Sequence, residues 1–280
     1  MSEEKMEQVF QVTAPAHLVV KNVRGSVNIQ PGEEGTLQVT AVKHIDSGDD
    51  ELTEVNLSQE SDGTVQAVAR FQESSPGWLA GKKACLVDFI IQAPPQCSTR
   101  VKVVSANVSL TGLEGEMECH TVSGDLVLHN LTGSFEIHTV SGDLELNNIA
   151  GNMDLHTVSG DAQGRGVSGA QKFDSVSGDV TLEESNIPSL QAKSVSGKFK
   201  IVTPLAEGPY HFHTVSGDVE LKVPAETHAT LELHSLSGKL SSKLPVTSSV
   251  LDRGNQEMEV QGGGVKVTLN SVSGGMEVKS

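Results

Sequence analysis

Aromatic residues are almost missing from this chain: one Trp, one Tyr and seven Phe stand among 280 residues. A core with so few rings has to be aliphatic and thinly layered, which excludes a large globular interior built on aromatic packing. Cysteine is equally scarce. Cys85, Cys97 and Cys119 form no Cys-x-x-Cys pair and are odd in number, so buried, reduced thiols are expected and neither a disulfide framework nor a zinc site is. No apolar run approaches the roughly 20 residues of a membrane span. The charged start Met-Ser-Glu-Glu-Lys-Met-Glu-Gln lacks the apolar stretch of a signal peptide. Direct membrane insertion is therefore not expected, and the chain as written reads as cytoplasmic, reaching an envelope only through a partner. A basic stripe is absent too. The formal charge is −16, made up of −6 over residues 1–100, −10 over 101–192 and zero over 193–280. Such a surface is a poor partner for nucleic acid or anionic lipid, and its acidic middle suits a cationic partner or metal cations better.

Glycine, by contrast, is abundant at 28 residues, and much of it belongs to a repeat. A tetrapeptide close to Val-Ser-Gly-Asp starts at Val122, Val140, Val158 and Val176, in steps of 18. It returns at Val195, Val215, Leu236 and Val272, the last gap being two steps of 18 with a decayed copy expected around Arg253-Gly254. An earlier decayed copy, Val104-Ser105-Ala106-Asn107, lies 18 residues before Val122. Fixed periods of this size mark a stacked, quasi-one-dimensional protein. Within one copy Phe135, Ile137 and Thr139 alternate with Glu136 and His138, the period of a half-buried strand. Leu144 and Leu146 resume the alternation after the Ser-Gly corner. A second glycine corner recurs at Gly115, Gly133, Gly151 and Gly169, also 18 apart. Each unit is thus two short strands and two turns, with Gly124, Gly142, Gly160, Gly178, Gly197, Gly217, Gly238 and Gly274 as the structural turn residues.

In-register parallel stacking places like residues beside like, which a meander of antiparallel hairpins would not do. The expected fold is all-β: a β-solenoid, or β-helix-like stack, of about ten coils of 18–21 residues. Residues 101–280 form the solenoid. Residues 1–100 are β-like but irregular, and are expected to cap its first, otherwise unpaired, edge. Leu37, Val39 and Ala41 alternate there, and exposed loops are expected at residues 46–50 and 74–77, with Trp78 beside the second. The far end, beyond Val272, shows no obvious cap.

Stacking turns each repeated residue into a column. Asp125, Asp143, Asp161 and Asp179 form one, followed by Lys198, and are candidate cation ligands, for calcium in particular. Their plainer role is to accept hydrogen bonds from turn amides. His120, His138 and His156 form a second column beside Glu118, Glu136 and Asp154, and are candidate ligands for zinc, nickel or copper. A ladder spreads ligands along a line where a metal wants them convergent, so a surface stack is the simpler expectation. Valine and the aliphatics are read as column fillers. No Asp-His relay breaks the repetition beside any serine, and no catalytic residue or cofactor is expected.

The His-Thr-Val-Ser-Gly-Asp runs at residues 120–125, 138–143, 156–161 and 213–218 resemble those of the bacterial DUF4097 family, also called Toastrack, whose members carry the label "putative adhesin". The resemblance covers most of the chain. It implies an all-β, solenoid-like domain, often linked to membrane segments of envelope-stress systems, with no catalytic residues. The leading functional expectation is a non-catalytic binding or scaffold module for a protein partner, with self-association through the C-terminal coil as a variant. The alternatives are a polysaccharide-acting enzyme on a β-helix scaffold and a calcium-binding structural solenoid. For the enzyme, the candidate spots are the two insertions that break the period, Glu183 to Leu190 and Thr203 to Tyr210, with Tyr210, His211 and His213 beside the second.

Overall fold

The computed structural model describes residues 2–72, 82–252 and 254–280; the loop expected at residues 74–77 and Trp78 lie outside them. No α-helix occurs among the described residues. Two single-turn 3-10 helices, Ile45–Ser47 and Asp50–Leu52, occupy the loop expected at residues 46–50. The chain divides into two compact units, Met1–Gly142 and Asp143–Ser280.

In the first unit the repeat runs through β7 (Cys97–Thr111), β8 (Glu114–Ser123) and β9 (Leu126–Ser141). These strands pair in parallel, each residue opposite the one 18 positions on: Thr99 with Met117, Val108 with Leu126, Met117 with Phe135. This is the stacking that the 18-residue period predicts, and the fold is a β-solenoid. Met117, Cys119, Leu126, Leu128, Phe135 and Ile137 are buried in its column. Burying each such side chain favours folding by about 1.5–3 kcal/mol, and neighbouring coils supply the cover that one coil lacks.

The irregular section before residue 100 also supplies coils. Strand β2 (Ala16–Pro31) pairs in parallel with β7, Ala16 opposite Cys97 and Ile29 opposite Leu110. Its other edge takes β5 (Val65–Phe71) and β6 (Leu86–Ala93), again in parallel. Spatial order therefore departs from chain order, with the β5–β6 coil first, β2 second and β7 third. On that first coil the strands turn antiparallel. β4 (Thr53–Gln59) lies on β5, β3 (Thr36–His44) on β6, and β1 (Glu3–Gln11) on β3. Leu37, Val39 and Ala41 form the buried face of β3.

In the second unit β10 (Leu144–Ser159), β11 (Ala162–Ser168), β12 (Gln171–Ser177) and β13 (Val180–Glu183) keep the 18-residue register. Longer corners then space β14 (Leu190–Ser196), β15 (Phe199–Val202), β16 (Tyr210–Thr214) and β17 (Val219–Lys222), while like still stacks on like: Phe199 on Val219, Ser194 on Thr214. The last coil of the chain, β22 (Val265–Ser271) and β23 (Met276–Lys279), is not the last in space. β22 lies between β16 and β18 (Ala229–Ser235), and β23 between β17 and β19 (Leu240–Ser242). Glycine packing reports the same order. A Cβ on Gly274 would sit 1.8 Å from the Gly217 carbonyl oxygen, and one on Gly238 2.0 Å from that of Gly274.

Two expectations are corrected here. The C-terminal coil is not an open end: both of its edges are hydrogen-bonded within the chain, so a second copy has no backbone left to pair with there. The segment expected to be a decayed coil around Gly254 is an antiparallel hairpin, β20 (Val246–Asp252) and β21 (Asn255–Val260), folded along the outer edge of β18; Arg253 itself lies outside the described residues. The apparent double step from Leu236 to Val272 is therefore a coil and a hairpin whose lengths happen to sum to two periods.

Candidate functional site

The repeated corner is a surface feature that the repeat coils from β7 onward share, and its four residues do different things. Along β8 the side chains alternate, with Met117, Cys119 and Thr121 buried and Glu118 and His120 facing out. Val122 then continues the outward row, and Ser123 faces out as well because the chain has begun to turn. The valine is thus not a column filler. Eight repeat valines, from Val104 to Val272, are each 46–49% exposed, and Leu236 is more exposed still. In the first unit the row is Val104, Val122 and Val140. In the second the register sets Val158, Val176, Val195, Val215, Val272 and Leu236 in succession, about 4.8 Å apart.

The inward place that valine leaves is taken by a hydroxyl. Thr121 and Thr139 in the first unit, and Thr157, Ser194, Thr214 and Ser235 in the second, are buried at the corner. Thr214, Ser235 and Ser271 accept the N–H of the corner glycines Gly217, Gly238 and Gly274, at 2.7, 2.7 and 2.5 Å. At these three corners an aliphatic residue could not accept that bond, whereas the hydroxyls of Thr121, Thr139, Thr157 and Ser194 are buried with no hydrogen-bond partner among the described residues.

Glycine is needed because successive corners touch. A Cβ on Gly178 would lie 2.2 Å from the Gly160 carbonyl oxygen. The aspartates tie the same corners together. The Asp161 N–H donates to Asp143 Oδ1 at 3.0 Å, Asp179 N–H to Asp161 Oδ1 at 2.8 Å, and Lys198 N–H to Asp179 Oδ1 at 2.7 Å. In the first unit Asp125 N–H donates to Asn107 Oδ1 at 3.0 Å, so the decayed copy does the same work with an amide. Each carboxylate stands as a clip on the next coil's backbone. Among the described residues no three His, Cys, Asp or Glu side chains gather as a metal-binding group.

The histidines stack. The His120 and His138 rings lie 4.8 Å apart and within 6° of parallel, with Nε2 of each on a carboxylate, Glu118 at 2.7 Å and Glu136 at 3.0 Å. Burial opposes ionisation of Glu118, but hydrogen bonds from Arg100, His120 and Lys102 outweigh it and hold its carboxyl down at about 2. In the second unit His156 lies between Asp154 at 2.9 Å and Asp174 at 3.5 Å. These are surface charge ladders along the outer face of the strands. The three cysteines are free and buried, and burial pushes the Cys97 and Cys119 thiols up to about 12, so they are poor nucleophiles.

Lys198 follows the aspartates in their column, but as an ion-pair partner it looks elsewhere. Its ammonium turns from the Asp179 side to Glu220, at 3.1 Å, where Lys279 of the inserted coil also arrives, at 2.6 Å. The two lysines hold the Glu220 carboxyl at about 2, against the opposing effect of burial. A depressed carboxylate contributes stability above its unfolded value near 4.5 and loses it as pH falls toward 2. Glu220→Gln is therefore expected to lower stability by about 1 kcal/mol at pH 7 and by progressively less below pH 4.5. Denaturant titrations of both proteins across that range check this.

In the spot singled out for an enzyme, Tyr210 is structural. Tyr210 is fully buried, its hydroxyl donating to the Ile187 carbonyl at 2.6 Å and accepting the Ala206 N–H at 2.9 Å. Thr203 Oγ1 accepts the Ile187 N–H at 3.0 Å. The two insertions that break the period, near residues 187 and 207, are thus sewn together through one phenol. That phenol is spent on the backbone.

The corner ladder, with its in-register valine, serine, glycine and aspartate, is the geometry that comparison with known proteins has to match. A family model described as Toastrack DUF4097 matches residues 15–279. The chain belongs to the Toastrack family. The match begins at β2, in accord with the finding that β2 is already a coil. Two solved structures share the Toastrack fold over nearly the whole chain. A "putative lipid binding protein" from Parabacteroides distasonis is 10% identical, with a TM-score of 0.54 over 99% of this chain and 96% of that one. A "putative adhesin" from Bacteroides fragilis is 12% identical, with a TM-score of 0.50 over 99% and 98%. Among curated proteins no sequence matches. No helix among the described residues of the Toastrack chain is long and apolar enough to cross a membrane.

Proposed function

We propose that this Toastrack chain is a non-catalytic binding module whose recognition surface is the stripe of corner valines. One observation carries the reading: a half-exposed valine stands at the same place in eight repeat corners and an exposed leucine in a ninth, and at all but the first the residue before it carries a hydroxyl. Single exposed apolar residues are ordinary, but a contiguous row of them rimmed by polar groups marks an interaction surface. In the second unit Ser177 and Ser196 flank the row on one side and Lys193 and His213 on the other, all exposed. An extended or strand-edge segment of a protein partner, with apolar residues at short spacing, fits such a row. The names of the two solved relatives, an adhesin and a lipid binding protein, both belong to the binding class and support this reading. Through that partner the chain would act in an envelope or cell-surface process. In the same reading β1, β3 and β4 serve as the cap of the first unit.

The test is a pull-down from the native cell with the parent chain and the double variant Val176→Asp, Val195→Asp. Both side chains are half exposed, so melting is expected to shift by no more than about 2 °C. The parent is expected to retain a partner that the variant loses. Identical capture by both folded proteins would exclude the valine row as the recognition surface.

A further inference from the structure

Strand β20 is the outermost strand of its edge in the second unit. Among the described residues it pairs only with β21, so one row of its backbone N–H and C=O groups has no strand beside it. All seven of its residues are exposed, Val250 at 57% and Leu251 at 75%. From Val246 to Leu251 its sequence, Val-Thr-Ser-Ser-Val-Leu, carries no charge, no glycine and no proline. Protein edges normally carry a device that prevents pairing, most often a charge. The outermost strands of the first unit have one: β1 carries Glu3, Glu4, Lys5 and Glu7, and β4 carries Glu54. β20 has no charge before Asp252, and its one irregularity is a register shift at Thr247, between Val246 and Ser248.

We propose that β20 is a self-association edge, along which a second copy of this chain adds its own β20 in antiparallel pairing to give a two-fold dimer. The choice of occupant rests on charge and on self-complementarity. Residues 193–280 are neutral, whereas residues 1–100 and 101–192 carry −6 and −10. An acidic chain meets its own copy with less repulsion on that stretch than on the other two, although β21 sets Glu259 opposite Ser248 and Glu257 opposite Val250, so self-complementarity is the stronger of the two arguments. Pairing centred on Ser248 sets Val246 opposite Val250 of the second copy and Thr247 opposite Ser249, β-branched beside β-branched and hydroxyl beside hydroxyl. Pro245, which has no N–H to offer, ends the ladder. Isologous contact of this kind closes at two copies. The proposal does not depend on the valine row, which lies on the repeat corners.

Sedimentation equilibrium of the full chain over a range of concentrations tests it, together with Val250→Lys. The parent is expected to reach twice the monomer mass. The variant should dissociate at least about tenfold more readily with an unchanged melting temperature, because two added lysines would face the shared ladder. Ser248→Cys provides a second readout. The native thiols are all buried, so oxidation should join two copies through the introduced cysteine alone. A parent that stays monomeric at the highest concentration overturns the proposal. So does a dimer that Val250→Lys leaves intact and Ser248→Cys fails to cross-link.

Discussion

Gly274→Ala should destabilise the protein by about 3 kcal/mol or more, a large part of the 5–15 kcal/mol typical of a folded domain. The added methyl would stand 1.8 Å from the Gly217 carbonyl oxygen, and that oxygen is backbone in the middle of a paired stack. Relief would require prising the inserted coil from β16 and β17, which breaks the ladder on that side. The Gly274 N–H also donates to Ser271 Oγ at 2.5 Å, and the same movement strains that bond. Gly262→Ala provides the contrast. Nothing lies within 4 Å of a Cβ there, although φ is +89°. Its loss should be about 1 kcal/mol, the ordinary penalty for a side chain in the left-handed region. Thermal melts of the two variants side by side check the prediction. Near-equal shifts would mean that the corners do not touch as described.

Phe212→Ala is the second large effect. Phe212 is fully buried, stands opposite Ala192 on one edge and Leu269 on the other, and meets Phe199 with ring centroids 5.8 Å apart. Removal should lower stability by about 3–5 kcal/mol, the usual range for emptying an aromatic site in a core. Because Phe212 packs between Ala192 and Leu269, which are 77 residues apart in sequence (269 − 192), the loss should appear as one cooperative shift of the whole denaturant transition. A small first step involving only part of the signal would count against that coupling.

Much of this was legible in the residues. The 18-residue step gave the parallel register, and the alternation of Phe135, Ile137 and Thr139 gave the buried face. The valine row was legible too. Val140 continues the parity of Glu136 and His138, so simple period-two counting places it outside. Its apolar character suggested the opposite, and the counting rule is the stronger one because strand geometry fixes the side while hydrophobicity only prefers it. The out-of-order coils were not legible. β2 pairs with β7 at an offset of 81 residues and β22 with β16 at 57, neither of them a multiple of the repeat. Nothing local records such an offset; only the competition between edges for a partner decides it. The Tyr210 contacts were equally hidden, since a phenol beside two histidines looks like chemistry until its hydroxyl is found on two backbone groups. The aspartate clips were anticipated as turn acceptors, although the amide each one receives belongs to the next coil.

The valine row is most directly tested by thiol labelling of Val176→Cys, with and without extract from the native cell. Cys85, Cys97 and Cys119 are buried, so the introduced thiol is the one that reports. The account predicts rapid labelling of the free protein and marked protection in extract, while Thr181→Cys, on the outer face of β13, stays equally reactive in both. Slow labelling of free Val176→Cys would contradict the exposure of the row. Rapid labelling undiminished by extract would contradict its role in binding.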